Sequence, residues 1–342
     1  MTGENILIHA DNINGLQWLI DNGYKSKIDL VYIDPPFATG GVFSIDTDGR
    51  VATVSRSIDS TIAYSDEIQG KEYIEYLRQR VKLIYELLSE KGSLYLHIDY
   101  KIGHYVKVML DEIFGMRCFR NDITRVKCNP KNFSRRGYGN VKDMILYYVK
   151  SDKAIWNNPA FPVSDEELNK RYPKTDKNGR RYTTVPIHAP GETRGGTSLP
   201  FRGMLPPKGR HWRCSVAKLE KLDREGLIEW SANGNPRKIN YADEHGFAKA
   251  QDIWIFKDPA YPVYPTEKNA QMLRFIVEAS SNPDSIVMDC FCGSGSTLRA
   301  ASSMGRRWIG IDKSDAAIQI TKKVLGIDTA DLSPGDTAFM EL

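Results

Sequence analysis

Along this chain, short continuous apolar runs alternate with longer stretches whose apolar positions recur every three or four residues. Continuous runs bounded by turn residues mark buried parallel strands, and the wider spacing is that of one helical face. The pattern predicts strands at 5–9 (NILIH), 28–33 (IDLVYI), 93–99 (SLYLHID), 144–149 (MILYYV), 285–289 (SIVMD) and 307–311 (RWIGI). It predicts helices at 15–22, at 72–89 through Ile74, Leu77, Val81, Ile84, Leu87 and Leu88, and at 102–114 through Val106, Met109, Leu110 and Ile113. Gly92 breaks the chain between the second helix and its strand. Further helices are expected from a cap at Thr266 or Asn269 to about Ala279, from near Ser296, and from Ser314 to Val324. Strand, helix, strand, helix in succession implies βαβ units and a parallel sheet.

Two strand ends carry residues that the fold alone does not require. The first is Asp34-Pro35-Pro36-Phe37, directly after the 28–33 strand. Two prolines fix φ, remove two backbone donors and bias Asp34 towards an extended conformation. The result is a stiff corner rich in acceptors: the Asp34 carboxylate, the Pro35 carbonyl, then the face of Phe37. Such a corner suits a planar ring carrying an NH2 group, because two acceptors can take its hydrogens while the ring stacks. Pulling on both N–H bonds localises a lone pair otherwise delocalised into the ring, and an exocyclic nucleobase amine is the obvious candidate. Read alone, the tetrapeptide fits a capped Pro-Pro turn equally well.

The second strand end is Asp289-Cys290-Phe291-Cys292-Gly293-Ser294-Gly295-Ser296-Thr297, a glycine turn leading into a helix, followed by a strand that ends at Asp312. Glycines let a ligand approach the backbone, the helix start offers N–H groups, and an acid about 20 residues on takes ribose hydroxyls. A bulky Phe-Cys pair precedes a single GxG, which suits a nucleoside carrying an amino acid better than a pyrophosphate. Asp11, at the carboxyl end of the 5–9 strand, is a further ligand candidate, whereas His97 is assigned to core packing.

Composition adds less. At 342 residues, 41% hydrophobic and 10% aromatic, the chain suggests one large α/β domain with insertions, or two domains. It has no run of eighteen apolar residues and no signal-peptide pattern, which points to a cytoplasmic protein without a membrane. Five cysteines without a CxxC fit reduced thiols rather than disulfides or a zinc site.

Charge changes the picture more. The net charge of +4 conceals +7 over residues 117–150 and +8 over 166–238, which leaves the rest strongly acidic. A basic middle suggests a bound polyanion. Within it, Lys127, Lys131, Arg135 and Arg136 interleave with Asn, Phe and Tyr, and Lys208 and Arg210 begin a second basic tract; these are the candidate nucleic-acid contacts. Residues 38–65 are polar and aperiodic, and read as a lid over a bound base. Residues 152 to about 250, rich in Pro and Gly, read as a smaller inserted domain.

Taken in this order, the motifs resemble those of the S-adenosylmethionine-dependent DNA amino-methyltransferases, in the beta permutation that puts the catalytic motif before the glycine loop. Asp34-Pro35-Pro36-Phe37 is similar to that family's D-P-P-Y/F, Phe291 to Gly295 to its F-x-G-x-G, and Pro265-Thr266-Glu267-Lys268 to its P-T-x-K. Tyr64-Ser65-Asp66 and residues 92–99 also look like family blocks, so the resemblance covers nearly the whole chain outside parts of the insert. It implies an α/β, circularly permuted Rossmann-like methyltransferase sheet: a catalytic half at 1–150, an inserted target-recognition region at 151–250 and a cofactor-binding half at 251–342.

By the same resemblance, Asp34, Pro35, Pro36 and Phe37 are catalytic, with Phe37 stacking on a flipped base. S-adenosyl-L-methionine is expected against Asp11, Thr266, Lys268, Asp289, Phe291, Cys292, Gly293, Ser294, Gly295, Ser296 and Asp312. Within that set Asp11 lies near the adenine, Asp312 on the ribose, and Thr266 and Lys268 near the methionine end. Asn269 departs from the proline common in the family. The expected reaction is N6-adenine methylation of double-stranded DNA without a metal. N4-cytosine methylation is the alternative, followed by RNA methylation or an inactive DNA-binding subunit. A restriction endonuclease partner and a homodimer are compatible with this reading. The permutation also requires the closing helix to lead back towards the 5–9 strand, with the termini close together.

Overall fold

The computed structural model describes residues 5–36, 42–45, 51–53, 61–65, 70–129, 136–245, 247–259, 268–327 and 337–342. The chain divides into two compact units, 1–159 together with 251–342, and 160–250.

The larger unit is built on nine strands: β1 (Asn5–His9), β2 (Ile28–Ile33), β3 (Leu88–Ile98), β4 (Phe119–Val126), β5 (Lys142–Val149), β6 (Ile253–Ile255), β7 (Ile286–Asp289), β8 (Arg307–Asp312) and β9 (Thr337–Glu341). They lie in the order β6-β4-β5-β3-β2-β7-β8-β1-β9. Every neighbouring pair is parallel except the two made by β5. Its helices are α1 (Asn12–Leu19), α2 (Gly70–Leu87), α3 (Tyr100–Phe114), α4 (Ala270–Ser280), α5 (Ser296–Ser303) and α6 (Asp315–Leu325). None of the described helices is long and apolar enough to cross a membrane.

Strand periodicity sorts the core into two layers. Ile6, Ile8, Val31, Ile33, Met288, Ile309 and Ile311 form one cluster with residues of α1, α2 and α3. The intervening Leu30, Tyr32 and Val287, equally buried, lie outside that cluster, as alternation across a sheet requires. Coverage of both faces explains why β2 reads as a continuous apolar run. Tyr95 extends its hydroxyl to Ser280 of α4, 2.8 Å away, which ties the second layer to the sheet.

Several expectations change in detail. The strand expected at 93–99 begins at Leu88, directly after α2, because Ile28 already pairs with Leu88 before the register shifts to Leu30 opposite Ser93. Gly92 lies inside that irregularity, where a Cβ would stand 2.9 Å from the carbonyl oxygens of Ile28 and Ser89. Asp99 does not end the strand but caps α3, accepting from Lys101 N at 2.9 Å. Within the aperiodic stretch at 38–65, strands 42–45, 51–53 and 61–65 form a small antiparallel sheet.

The permuted layout is explicit in the ladder. β8 pairs with β1, and Ala10 N donates to the Asp312 carbonyl at 3.0 Å. β9, which the pattern did not predict, pairs on the far side of β1 with Asn5 opposite Thr337, and Leu342 N donates to the His9 carbonyl at 3.2 Å. The described ends of the chain therefore meet at one edge of the sheet.

The smaller unit carries a four-stranded antiparallel sheet with 181–186 and 236–241 at its centre. Its core is Ile187, Phe201, Trp212, Leu219 and Ile228. It begins at 160 rather than 151 because the intervening residues pack on the larger unit. Ile155 N donates to Lys91 O at 3.0 Å, Asn157 N donates to Ala279 O at 2.9 Å, and Trp156 stacks on Tyr147.

Candidate active site

Four parallel strands, β2, β7, β8 and β1, are consecutive in the sheet, so their carboxyl ends open on one edge about 5 Å apart. Asp34 follows β2, the Phe291–Gly295 turn follows β7, Asp312 ends β8, and Asp11 follows β1. Residues separated by more than 250 positions in the chain are thereby neighbours, at the edge where parallel α/β sheets take ligands.

The glycine turn is held by its flanking acids. Asp312 Oδ2 accepts from Gly293 N at 2.9 Å, and Oδ1 accepts from Ser314 N at 2.9 Å. Burial pushes the Asp312 carboxyl up, while those two amides pull the other way. Asp289 is fully buried, accepts from Phe291 N at 3.0 Å, and belongs to the scaffold of the turn rather than to its open face. Gly295 adopts φ +74°, and a Cβ there would stand 2.9 Å from the Thr321 side chain. Thr321 in turn donates to the Gly293 carbonyl at 2.9 Å. Gly293 and Ser296 are half-buried, whereas Cys292 and Ser294 face inward. Desolvation raises the Cys290 and Cys292 thiols well above the ordinary range, which leaves them inert.

Asp289 yields a testable consequence. Desolvation first, then the nearby Asp34 and Asp312 charges, push its carboxyl up to about 7 from 3.8, against the hydrogen bonds from Thr297 and Phe291. A raised folded-state value means that the native state binds the extra proton, so the stabilisation is full below the unfolded value and is lost as pH rises towards 7. Asp289→Asn is therefore expected to gain stability relative to the parent protein between pH 5 and pH 8. Thermal melts at both values check this, and an unchanging difference would refute it.

Asp11 caps α1 by accepting from Ile13 N at 3.0 Å, and it pairs with Arg80 at 3.2 Å. Arg80 is buried, bonds the Asn12 side chain, and lies 3.5 Å over the Tyr76 ring, which faces Phe291. Arg80 was not identified from the sequence, where it reads as a polar position in the 72–89 helix. Asp11, Phe291, the exposed parts of the glycine turn and Asp312 together offer acceptors, an aromatic edge and backbone amides. That set fits a nucleoside carrying an amino acid.

Asp34 itself is largely buried. Its Oδ2 takes Lys268 Nζ at 2.6 Å, and its Oδ1 stands 3.5 Å from His97 Nδ1. Lys268, expected at the methionine end, thus reaches Asp34. Asn269 caps α4 through Gln271 N and Met272 N, and also donates to Lys257 O at 2.8 Å, so the residue standing in place of proline anchors the segment after Lys268. Pro35 is buried and Pro36 half-buried. Phe37 and Thr266 lie outside the described residues.

The basic segments divide by use. Lys127 places its ammonium 2.6 Å from Asp143, and Arg125, fully buried, pairs with Asp258. Arg125 is spent inside the fold, whereas Lys127, just past β4, is half-buried with its ammonium taken by Asp143. Lys127, expected on DNA, is paired with Asp143 in this fold. Arg136 is exposed; Lys131 and Arg135 lie outside the described residues. In the smaller unit, Trp212 anchors the core while Lys208 and Arg210 remain exposed, with Arg210 3.0 Å from His188.

Comparison with known proteins agrees with this geometry. Residues 28–323 match a family model described as DNA methylase. The chain is 43% identical over 332 residues to the type II methyltransferase M.EcaI of Enterobacter cloacae, covering 95% of this chain and 70% of that one. It is 26% identical to the Mod subunit of the type III restriction-modification enzyme StyLTI of Salmonella typhimurium, covering 88% of this chain but only 50% of the relative. Among solved structures, an M1.HpyAVI complex with SAM aligns at a TM-score of 0.50 with 19% identity, over 94% of this chain and 100% of that one. A DNA modification methylase of Thermus thermophilus, complexed with S-adenosyl-L-methionine, aligns at 0.50 with 14% identity over 98% of each chain. At these identities the two structures establish the shared fold.

Proposed function

Because this chain belongs to the N6/N4 DNA methylase family, we propose that it transfers a methyl group from S-adenosyl-L-methionine to the N6 amine of an adenine flipped out of duplex DNA. The observation that carries this reading is the adjacency of β2 and β7, which sets Asp34 beside the glycine turn. The donor supplies an electrophilic methyl group on a sulfonium. Asp312 takes the ribose hydroxyls, Asp11 lies towards the adenine, and the Gly293–Ser296 turn lets the donor approach the backbone. Asp34 and the Pro35 carbonyl accept from the target amine, Phe37 stacks on its ring, and the nitrogen attacks in line. The protein's contribution is positioning and electrostatics. Extrusion of the base costs a few kcal/mol of unstacking.

Aspartate at the head of the motif favours adenine, since cytosine-N4 enzymes more often carry serine there. Arg136, Lys208 and Arg210 are the described cations assigned to DNA, and the 160–250 unit is assigned to target recognition. Relatives named as type II methyltransferases and type III Mod subunits support a modification role alongside a restriction endonuclease. The test is to incubate duplex DNA with the protein and donor, digest to nucleosides and identify the methylated product. N6-methyladenine is expected. N4-methylcytosine alone would overturn the adenine assignment.

A further inference from the structure

Behind Asp34 runs a file of ionisable groups that methyl transfer itself does not use. His97 is fully buried between two carboxylates, with Nδ1 3.5 Å from Asp34 Oδ1 and Nε2 3.3 Å from Asp143 Oδ2. Four strands build this arrangement. Tyr32 is the last residue but one of β2, and its hydroxyl lies 2.9 Å from His97 Nδ1. His97 pairs with Ile145 across the β3–β5 ladder, which puts Asp143 on the same face one step along. From β4, Arg125 pairs in register with Asp143, and Lys127 caps its other oxygen.

The contacts select a tautomer. Nε2 makes no hydrogen bond among the described residues but stands 3.3 Å from Asp143 Oδ2, so with the Tyr32 hydroxyl donating to Nδ1 the proton rests on Nε2 beside that carboxylate. In that state Asp34 Oδ1, buried and without a hydrogen bond among the described residues, stands 3.5 Å from an unprotonated Nδ1. The described charges balance: Asp34 against Lys268, Asp143 against Lys127, and Asp258 against Arg125. One added proton would satisfy Oδ1, and Tyr32 need only rotate its hydroxyl from donor to acceptor.

Resting on the methyl-transfer reading above, we propose that His97, oriented by Asp143, is the positioning residue that receives through Asp34 the proton left surplus on the methylated amine. The amine N–H bond breaks as an O–H bond forms on Asp34. That O–H bond breaks as an N–H bond forms at Nδ1, and the imidazolium is paired with Asp143. The proton returns through Asp34 to solvent when the methylated base departs.

Among the described residues, the ionisable groups facing His97 include Tyr32 and Asp34 from β2 and its corner and Asp143 from β5, with Arg125, Lys127 and Lys268 in the next rank. Burial lowers the histidine's value, opposed by Asp34 and Asp143, so it starts the cycle neutral at pH 7 and able to accept.

The test is single-turnover methylation of duplex DNA with labelled S-adenosyl-L-methionine in weak buffer, read together with a pH-indicator dye. In the parent protein, the proton is expected to appear in solution later than the methyl group on DNA. In His97→Gln the two appear together. Transfer in that variant slows roughly tenfold, with KM for donor and DNA unchanged. The parent's rate should fall at a pH below the ordinary histidine value, and that acid limb should vanish in His97→Gln. Simultaneous appearance of proton and methyl group in the parent would overturn the proposal whether or not the variant folds. Persistence of the lag in a folded His97→Gln protein would overturn it too. Full methyl transfer by Asp34→Ala would instead overturn the methyl-transfer reading beneath it.

Discussion

Replacing Asp34 by alanine is expected to slow methyl transfer by roughly 10³-fold while donor affinity changes only severalfold. The carboxylate lies at the end of β2 with Lys268 on one oxygen and His97 facing the other, so it is held in place before any base arrives. A preorganised acceptor aimed at a nitrogen whose charge grows during reaction is worth more in the transition state than in the ground state. Its loss should therefore appear in kcat rather than in KM. Single-turnover kinetics with labelled donor, paired with a donor-binding titration, separates the two. An equal loss of donor binding would mean that the substitution had disturbed the neighbouring glycine turn instead.

The second large effect is expected at Asp312. Asp312→Ala should weaken S-adenosyl-L-methionine binding by roughly 100-fold, because hydrogen bonds to a charged acceptor contribute about 1.5–3 kcal/mol each. The side chain holds Gly293 N and Ser314 N in place, and on the proposed reading it would also offer lone pairs to the ribose. Asp312→Asn keeps one acceptor oxygen and should fall between the two. Calorimetric titration with donor in the absence of DNA measures the effect directly. Donor binding unaltered by Asp312→Ala would remove the residue from the cofactor site.

Much of this site is legible in the chain because its parts are local. Asp34-Pro35-Pro36 is one stiff corner, and the 289–297 turn joins one strand to one helix, so sequence neighbours are also spatial neighbours. The apolar runs of β1, β2, β7 and β8 declare a sheet covered on both faces for the same reason. Less legible were the ends of elements: β3 starts five residues earlier than Ser93 because a register shift extends its pairing past Gly92. β9 carries too short a pattern to stand out, and it is a strand only because β1 offers it an edge.

Charge was least legible. Arg80 and Arg125 were given no role, Lys127 was expected on DNA and Lys268 at the methionine end, yet each is committed to an acid brought to it by the fold. His97 read as core packing; it is buried, and it is also flanked by two carboxylates. The amino-acid sequence by itself determined the element types, the two motifs and the class of chemistry, since backbone restriction by proline and glycine and the period of apolar residues act over a few positions. Only the tertiary structure decided which cation meets which acid. Ion pairing depends on distance in space, and strand order and register bring together side chains as far apart in the chain as Asp34 and Lys268.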